Sequence, residues 1–255
     1  MGNGRSVFSR SIVRGSTVTL VGLLTIAGLC WLYVFGLASE MASMSPGDMM
    51  AFKHWTPAYF AMMVVMWSVM MVAMMTPSAA PMILLYRQVA RKNQLAGGML
   101  GTALFAGGYL LVWGLFSLTA TALQWLLEES ALLSPQMRSQ NQVFSGVVLI
   151  AAGIYQFSSL KQACLRRCRG PLLFITRYWR SGLKGAFEMG LRHGTYCVGC
   201  CAALMALLFV GGVMDLSVIA AIAVVVLLEK LIPGGEWLAR AFGALAIGLG
   251  VVLIV

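Results

Sequence analysis

The chain has 255 residues, 60% of them hydrophobic and only 10% charged, with a formal net charge of +10. Soluble domains carry about 25% charged residues, so this composition excludes a water-facing globular surface and makes lipid the main solvent. The surplus of Lys and Arg takes its meaning from where those residues fall.

Seven apolar stretches, at 16–38, 58–83, 99–127, 142–160, 194–214, 216–232 and 238–255, approach the ~20 residues that cross a hydrocarbon core. None alternates as the strands of a membrane barrel do, so helices must satisfy the backbone. The expected fold is therefore all-α: a multi-pass transmembrane bundle of about seven spans in a single membrane domain over 1–255. The first stretch follows Arg5, Arg10 and Arg14 and ends near "GLAS". Its apolar run exceeds the 7–15 residues of a secretory signal core, which reads as a retained anchor.

If the spans alternate, sixteen of the eighteen basic residues fall on one side, and only Lys53 and Arg138 on the other. The positive-inside rule places the N-terminus in the cytoplasm and the C-terminus outside, in a bacterial-type inner membrane. The positive charge is then a topology signal and a contact for anionic lipid. It is not a nucleic-acid footprint.

The outer loop after the first span, "SEMASMSPGDMMAFKHWTP", carries Met41, Met44, Met49, Met50 and His54. Loops need no thioethers for packing, so these residues suggest capture or release of a soft metal ion. His54 beside Trp55 also fits a plain interface anchor. The second span adds a methionine run. At about 100° per residue, Met62, Met63, Met66, Met70 and Met74 share a third of the helix surface, with Met71 and Met75 beside them. Met70 and Met74 are candidate ligands along this ladder, although Met-rich faces are often only adaptable packing. Glycines such as Gly107, Gly108, Gly146 and Gly243 permit close helix contact and carry no functional expectation.

The inner loop 161–184 contains "CLRRC", with Cys164 and Cys168 one helical turn apart among Arg166, Arg167 and Arg169. Those cations are expected to favour the thiolate that binds metal. The fifth span opens with "HGTYCVGCCAALM". On a helix His193, Cys197, Cys201 and Met205 recur every four residues and share one face, with Cys200 beside it. Met189 extends that face backwards, and Glu188 and Arg192 are spaced to pair. Thiolate, thioether and imidazole together suit Cu(I). The ligand set is therefore Cys164, Cys168, Cys197, Cys200 and Cys201, with His193 as accessory, while Cys30 stands alone as a small buried hydrophobe. Lys230 and Arg240 follow as inner-side charges, and "LIPGGEW" turns the chain between the last two spans.

Other chemistries stay open on the residues alone. Four thiolates from "CLRRC" and "CVGC" would hold zinc, which leaves the methionines unexplained. Cys197 and Cys200 form a C-x-x-C pair that suits a membrane thiol–disulfide oxidoreductase, although a cytosolic side is reducing. An accessory subunit with a structural metal site is a third reading. "CVGCC" lacks the histidine of a haem attachment site. No nucleophile–His–Asp set, phosphate loop or carboxylate pair marks an enzyme.

The segments "MVAMMTPSAAP", "YQFSSLKQACLRRCRGPL", "GLRHGTYCVGCCAALM" and "LLEKLIPGG" resemble a family of predicted metal-binding integral membrane proteins, long catalogued as a domain of unknown function. The likeness runs from about the second span onward, with Ala202 standing where relatives are expected to carry an aromatic. Members of that family are linked to copper supply for secreted oxidases of the tyrosinase kind. The resemblance implies copper delivery rather than catalysis, with a copper-requiring oxidase or a soluble copper chaperone as partner.

Overall fold

A computed structural model of the chain describes residues 3–43, 55–92, 98–134 and 137–255. Among these residues the elements are helices, α1 (Asn3–Ser43), α2 (Pro57–Lys92), α3 (Met99–Glu129), α4 (Gln142–Gln156), α5 (Ser159–Arg169), α6 (Pro171–Tyr178), α7 (Gly182–Ala206), α8 (Leu208–Gly211), α9 (Leu216–Leu231) and α10 (Gly235–Ile254). Outside them lies one isolated antiparallel bridge, Leu133 to Ser139. Five segments are long and apolar enough to cross a membrane: Thr17–Met41, Pro57–Arg91, Met99–Glu129, Gly182–Gly211 and Gly235–Ile254. Their outward faces carry exposed Leu24, Leu32, Leu115, Leu249 and Val252, an apolar exterior compatible with a membrane.

The stretch read as one span at 142–160 differs from that expectation. Helix α4 stops at Gln156, and α5 leaves it at an angle of 62°. The cause is local: the Ser158 hydroxyl accepts the Lys161 N–H at 3.1 Å and starts a new helix. The 216–232 stretch forms α9, whose 16 residues reach roughly 24 Å. The inner segment 161–184, expected as a loop, is mostly helical as α5, α6 and the first turn of α7.

Helix pairs α3–α7 and α4–α10 are the most extensively packed, and glycine makes both contacts possible. A Cβ on Gly190 would strike the Phe105 carbonyl, and one on Gly108 the Phe187 carbonyl. Across α4–α10, a Cβ on Gly153 would meet the Gly243 oxygen at 2.7 Å, and one on Gly250 the Gly146 oxygen at 2.7 Å. Of the glycines expected to permit close helix contact, Gly108, Gly146 and Gly243 do so, joined by Gly190, Gly153 and Gly250, whereas Gly107 faces open space.

Contacts between helix ends fall into two groups. At one end Trp55 Nε1 donates to Glu128 at 3.0 Å, and the Ser139 N–H donates to the Phe209 carbonyl at 2.9 Å. At the other, Arg169 donates to the Ile232 carbonyl at 2.7 Å, and Arg180 pairs with Glu188. Arg192 lies over the Tyr178 ring at 4.6 Å, so the expected Glu188–Arg192 pair is replaced by Arg180–Glu188. The guanidinium of Arg192 finds an aromatic face instead.

Candidate metal centre

Helix α7 carries the cysteine face. His193, Cys197, Cys201, Met205 and Met189 are all buried, as the four-residue spacing requires, and Cys200 is buried beside them. Helix α5 brings the second pair alongside. Cys168, the half-buried member, has its sulfur 3.9 Å from Cys200 Sγ, and Cys200 Sγ lies 3.3 Å from Cys201 Sγ. Two sulfurs sharing a tetrahedral ion at about 2.3 Å sit roughly 3.8 Å apart, so the Cys168–Cys200 separation already falls in that range. Cys164 packs against Gly199, whose Cβ would stand 2.8 Å from the Cys164 sulfur. The glycine of "CVGC" is thus the opening that admits the other helix. All six cysteines are free. Among the described residues, no three His, Cys, Asp or Glu side chains surround one common point as a closed metal cage. Cys200 instead joins Cys168 and Cys201 in a chain of close sulfurs.

The arginines expected to assist the thiols mostly do other things. Arg167 lies over the Tyr196 ring at 4.7 Å, and Arg169 holds the Ile232 carbonyl. The cation that touches a thiol comes from α9: Lys230 Nζ donates to Cys197 Sγ at 3.0 Å and to Ser78 Oγ at 2.9 Å. Tyr109, from α3, reaches the same sulfur at 3.2 Å and the Met75 carbonyl at 3.3 Å. Beside Lys230 in the chain, Glu229 points to another partner, Lys161 Nζ of α5 at 2.7 Å, with Gln156 Nε2 at 3.4 Å. Both ends of that pair are buried. An ammonium and a carboxylate out of water must be paired, and this pairing clamps α5 to α9 beside the cysteines. Sequence reasoning read Lys161 and Lys230 as cytoplasmic charges only. Their position close to "CLRRC" and in the "LLEK" segment was the available signal.

His193 lies between the Tyr109 and Phe105 rings, at centroid distances of 5.4 and 6.1 Å, with Phe174 edge-on at 5.5 Å. Its Nδ1 is buried without a hydrogen-bond partner. An orphaned imidazole nitrogen one turn from Cys197 suits an accessory ligand. The methionine face of α2 is also in the core: Met63, Met66, Met70, Met71, Met74 and Met75 are buried, whereas Met62 is half exposed and leaves the ladder. Met70 and Met74 therefore sit inside the bundle, on the helix whose Met75 and Ser78 meet Tyr109 and Lys230. Met41 lies in the last turn of α1, partly buried against the core. Met44, Met49, Met50 and His54 lie outside the described residues.

No curated protein and no solved structure matches the chain. A family model described as PpoB2, copper chaperone, matches residues 64–253, from the methionine helix through the cysteine clusters to the last helix, and the chain belongs to this copper-chaperone family.

Proposed function

We propose that the protein is a seven-span inner-membrane carrier of Cu(I), holding the ion on thiolates of α5 and α7 and delivering it to a copper-requiring partner such as a secreted oxidase. The observation that carries this reading is the sulfur chain Cys168–Cys200–Cys201, contributed by two helices inside a bundle of a copper-chaperone family. Thiolates suit a soft monovalent ion, and Cu(I) with its filled d shell needs only two or three of them. Cys164 and Cys197 complete the set, with His193 as accessory. Cu(I) is preferred to zinc because buried methionines line the adjoining helix, and zinc has little use for them. Met70 and Met74 offer exchange positions along α2, and Met41, Met44, Met49, Met50 and His54 an outer capture site. The copper is cargo, and no catalytic step is assigned.

The seven crossings add two shorter helices to the five long ones: α4, bent at its end into α5, and α9, which runs between the two groups of helix-end contacts from Asp215 to Ile232. With the basic residues inside, the N-terminus is cytoplasmic and Cys168 faces a soluble copper donor on that side. A thiol–disulfide exchange role finds no support in the geometry, because Cys197 and Cys200 are both buried where a partner disulfide has no approach. Anaerobic titration of the purified protein with Cu(I) against a competing chelator tests the proposal. Wild type should retain copper, and Cys197→Ser/Cys200→Ser should lose most of it. A wild type that surrenders all copper to a weak chelator refutes the reading.

A further inference from the structure

The ammonium of Lys230 is the least expected member of the thiol cluster. It is buried, and its two hydrogen-bond partners are a hydroxyl and a sulfur. Among the described residues, no carboxylate lies within pairing distance of it. Lys161 and Glu229 cancel each other. The buried group Lys161, Glu229 and Lys230 therefore carries one uncompensated positive charge, pointed at Cys197. A buried charge must be balanced nearby, and sulfur is the available balance.

We propose that Lys230 is the selectivity-determining residue of the copper site: its ammonium occupies the cation's place beside Cys197 in the metal-free protein, and then sets the net charge that the loaded site must have. This rests on the copper-carrying role proposed above. A monovalent ion held by two thiolates, whose thiol protons have gone to solvent, forms a complex with one net negative charge. The ammonium beside Cys197 cancels that charge. A divalent ion on the same two thiolates is already neutral and leaves the ammonium unbalanced in a medium of low dielectric. The residue thus favours Cu(I) and Ag(I) over Zn(II) at a two-sulfur site, where softness alone would leave charge unread. Tyr109, which touches the same sulfur from the opposite helix, holds Cys197 in position while Lys230 withdraws toward Ser78.

The test uses the purified full chain and three probe ions, Cu(I), Ag(I) and Zn(II), each titrated anaerobically against a chelator. Lys230→Met should weaken Cu(I) and Ag(I) binding by about a thousandfold, the scale of one unit charge about 4 Å away at an effective dielectric of 20. Zn(II) binding should hold or tighten, since its neutral two-thiolate complex no longer faces an unbalanced ammonium, and Lys230→Arg, which keeps the charge, should stay within about threefold of wild type for all three. Equal losses for monovalent and divalent ions would mean that Lys230 only holds the helices, and would overturn the proposal. X-ray absorption on wild-type protein gives a second reading that needs no variant to fold. Two sulfurs around Cu(I) are expected, and three sulfurs break the charge count. Wild-type protein that takes up no Cu(I) sinks the copper-carrying role and this inference with it. Normal wild-type uptake with charge-insensitive variants overturns this inference alone.

Discussion

Glu229→Gln is the substitution with the largest consequence that the geometry allows to be worked out. The carboxylate lies 2.7 Å from Lys161 Nζ, with side-chain exposures of 1% and 0%. At an effective dielectric near 20, two unit charges at that distance attract by about 6 kcal/mol. Removing each ion from water costs several kcal/mol, so the intact pair contributes little net stability. Breaking it is different, because Lys161 is left charged and buried with Gln162 and the rest of α5 around it. Such a loss costs about 3–5 kcal/mol. For a chain of this size, that is a fall in melting temperature of roughly 6–20 °C. The assay is thermal unfolding in detergent of wild type, Glu229→Gln, Lys161→Met and the double variant Lys161→Met/Glu229→Leu. Both single variants should fall by amounts in this range, and the double should recover most of the loss, since an apolar pair replaces a buried ion pair at little cost. Because α5 supplies Cys164 and Cys168, copper stoichiometry should fall in the single variants and return in the double. Single variants as stable as wild type, or a double no better than its singles, would refute the clamp.

Gly190→Ala forces a methyl into the Phe105 backbone across α3–α7; expect a loss of 1–3 kcal/mol or more in a denaturant titration, whereas Gly107→Ala, facing open space, should cost nothing measurable. Met70→Leu/Met74→Leu conserves volume and should cost below about 1.5 kcal/mol in the same titration. In that variant, equilibrium Cu(I) affinity should persist while transfer across a reconstituted vesicle slows. Tyr109→Phe removes a buried hydroxyl from Cys197 and from the Met75 carbonyl, with an expected loss of roughly 0.5–1.5 kcal/mol measured by thermal unfolding.

The sequence carried the long helices and the cysteine face because both obey short-range rules. Apolar length marks Thr17–Met41, Pro57–Arg91 and Met99–Glu129, and a spacing of four places His193, Cys197 and Cys201 together whatever surrounds them. The break after Gln156 was legible too, in a serine able to cap a helix ahead of Lys161, but hydropathy averaged over it. What could not be read is which distant partner each polar residue finds. Glu229 and Lys230 are adjacent in the chain, yet one turns to α5 and the other to α7 and α2. The positive-inside rule counts both lysines as surface charge because it knows nothing of tertiary partners. Gly199 and Gly190 were invisible for the same reason: their value lies in the helix that comes against them.

The arrangement of charge explains why a thiol cluster can exist at this place in the fold. Five cysteines gathered in a bundle with an apolar exterior would hold their protons, since ionised sulfur without a counter-charge is costly away from water. Soft metal binding needs those protons released. An isolated lysine inside the same bundle would face the mirror-image difficulty. Each is the other's remedy, but only if the helix bearing the lysine is held in register with the helices bearing the cysteines. Lys161–Glu229 ties α9 to α5 at 2.7 Å, and the neighbouring residue of α9 then meets α7 at Cys197. Two consecutive residues, Glu229 and Lys230, thereby link both cysteine-bearing helices to a single third one. Moving α9 by one residue would exchange these partners and leave both an unpaired carboxylate and an unpaired ammonium. The copper-binding chemistry and the helix packing are therefore one structural problem, and substitutions in α9 should disturb metal binding although α9 itself contributes no sulfur.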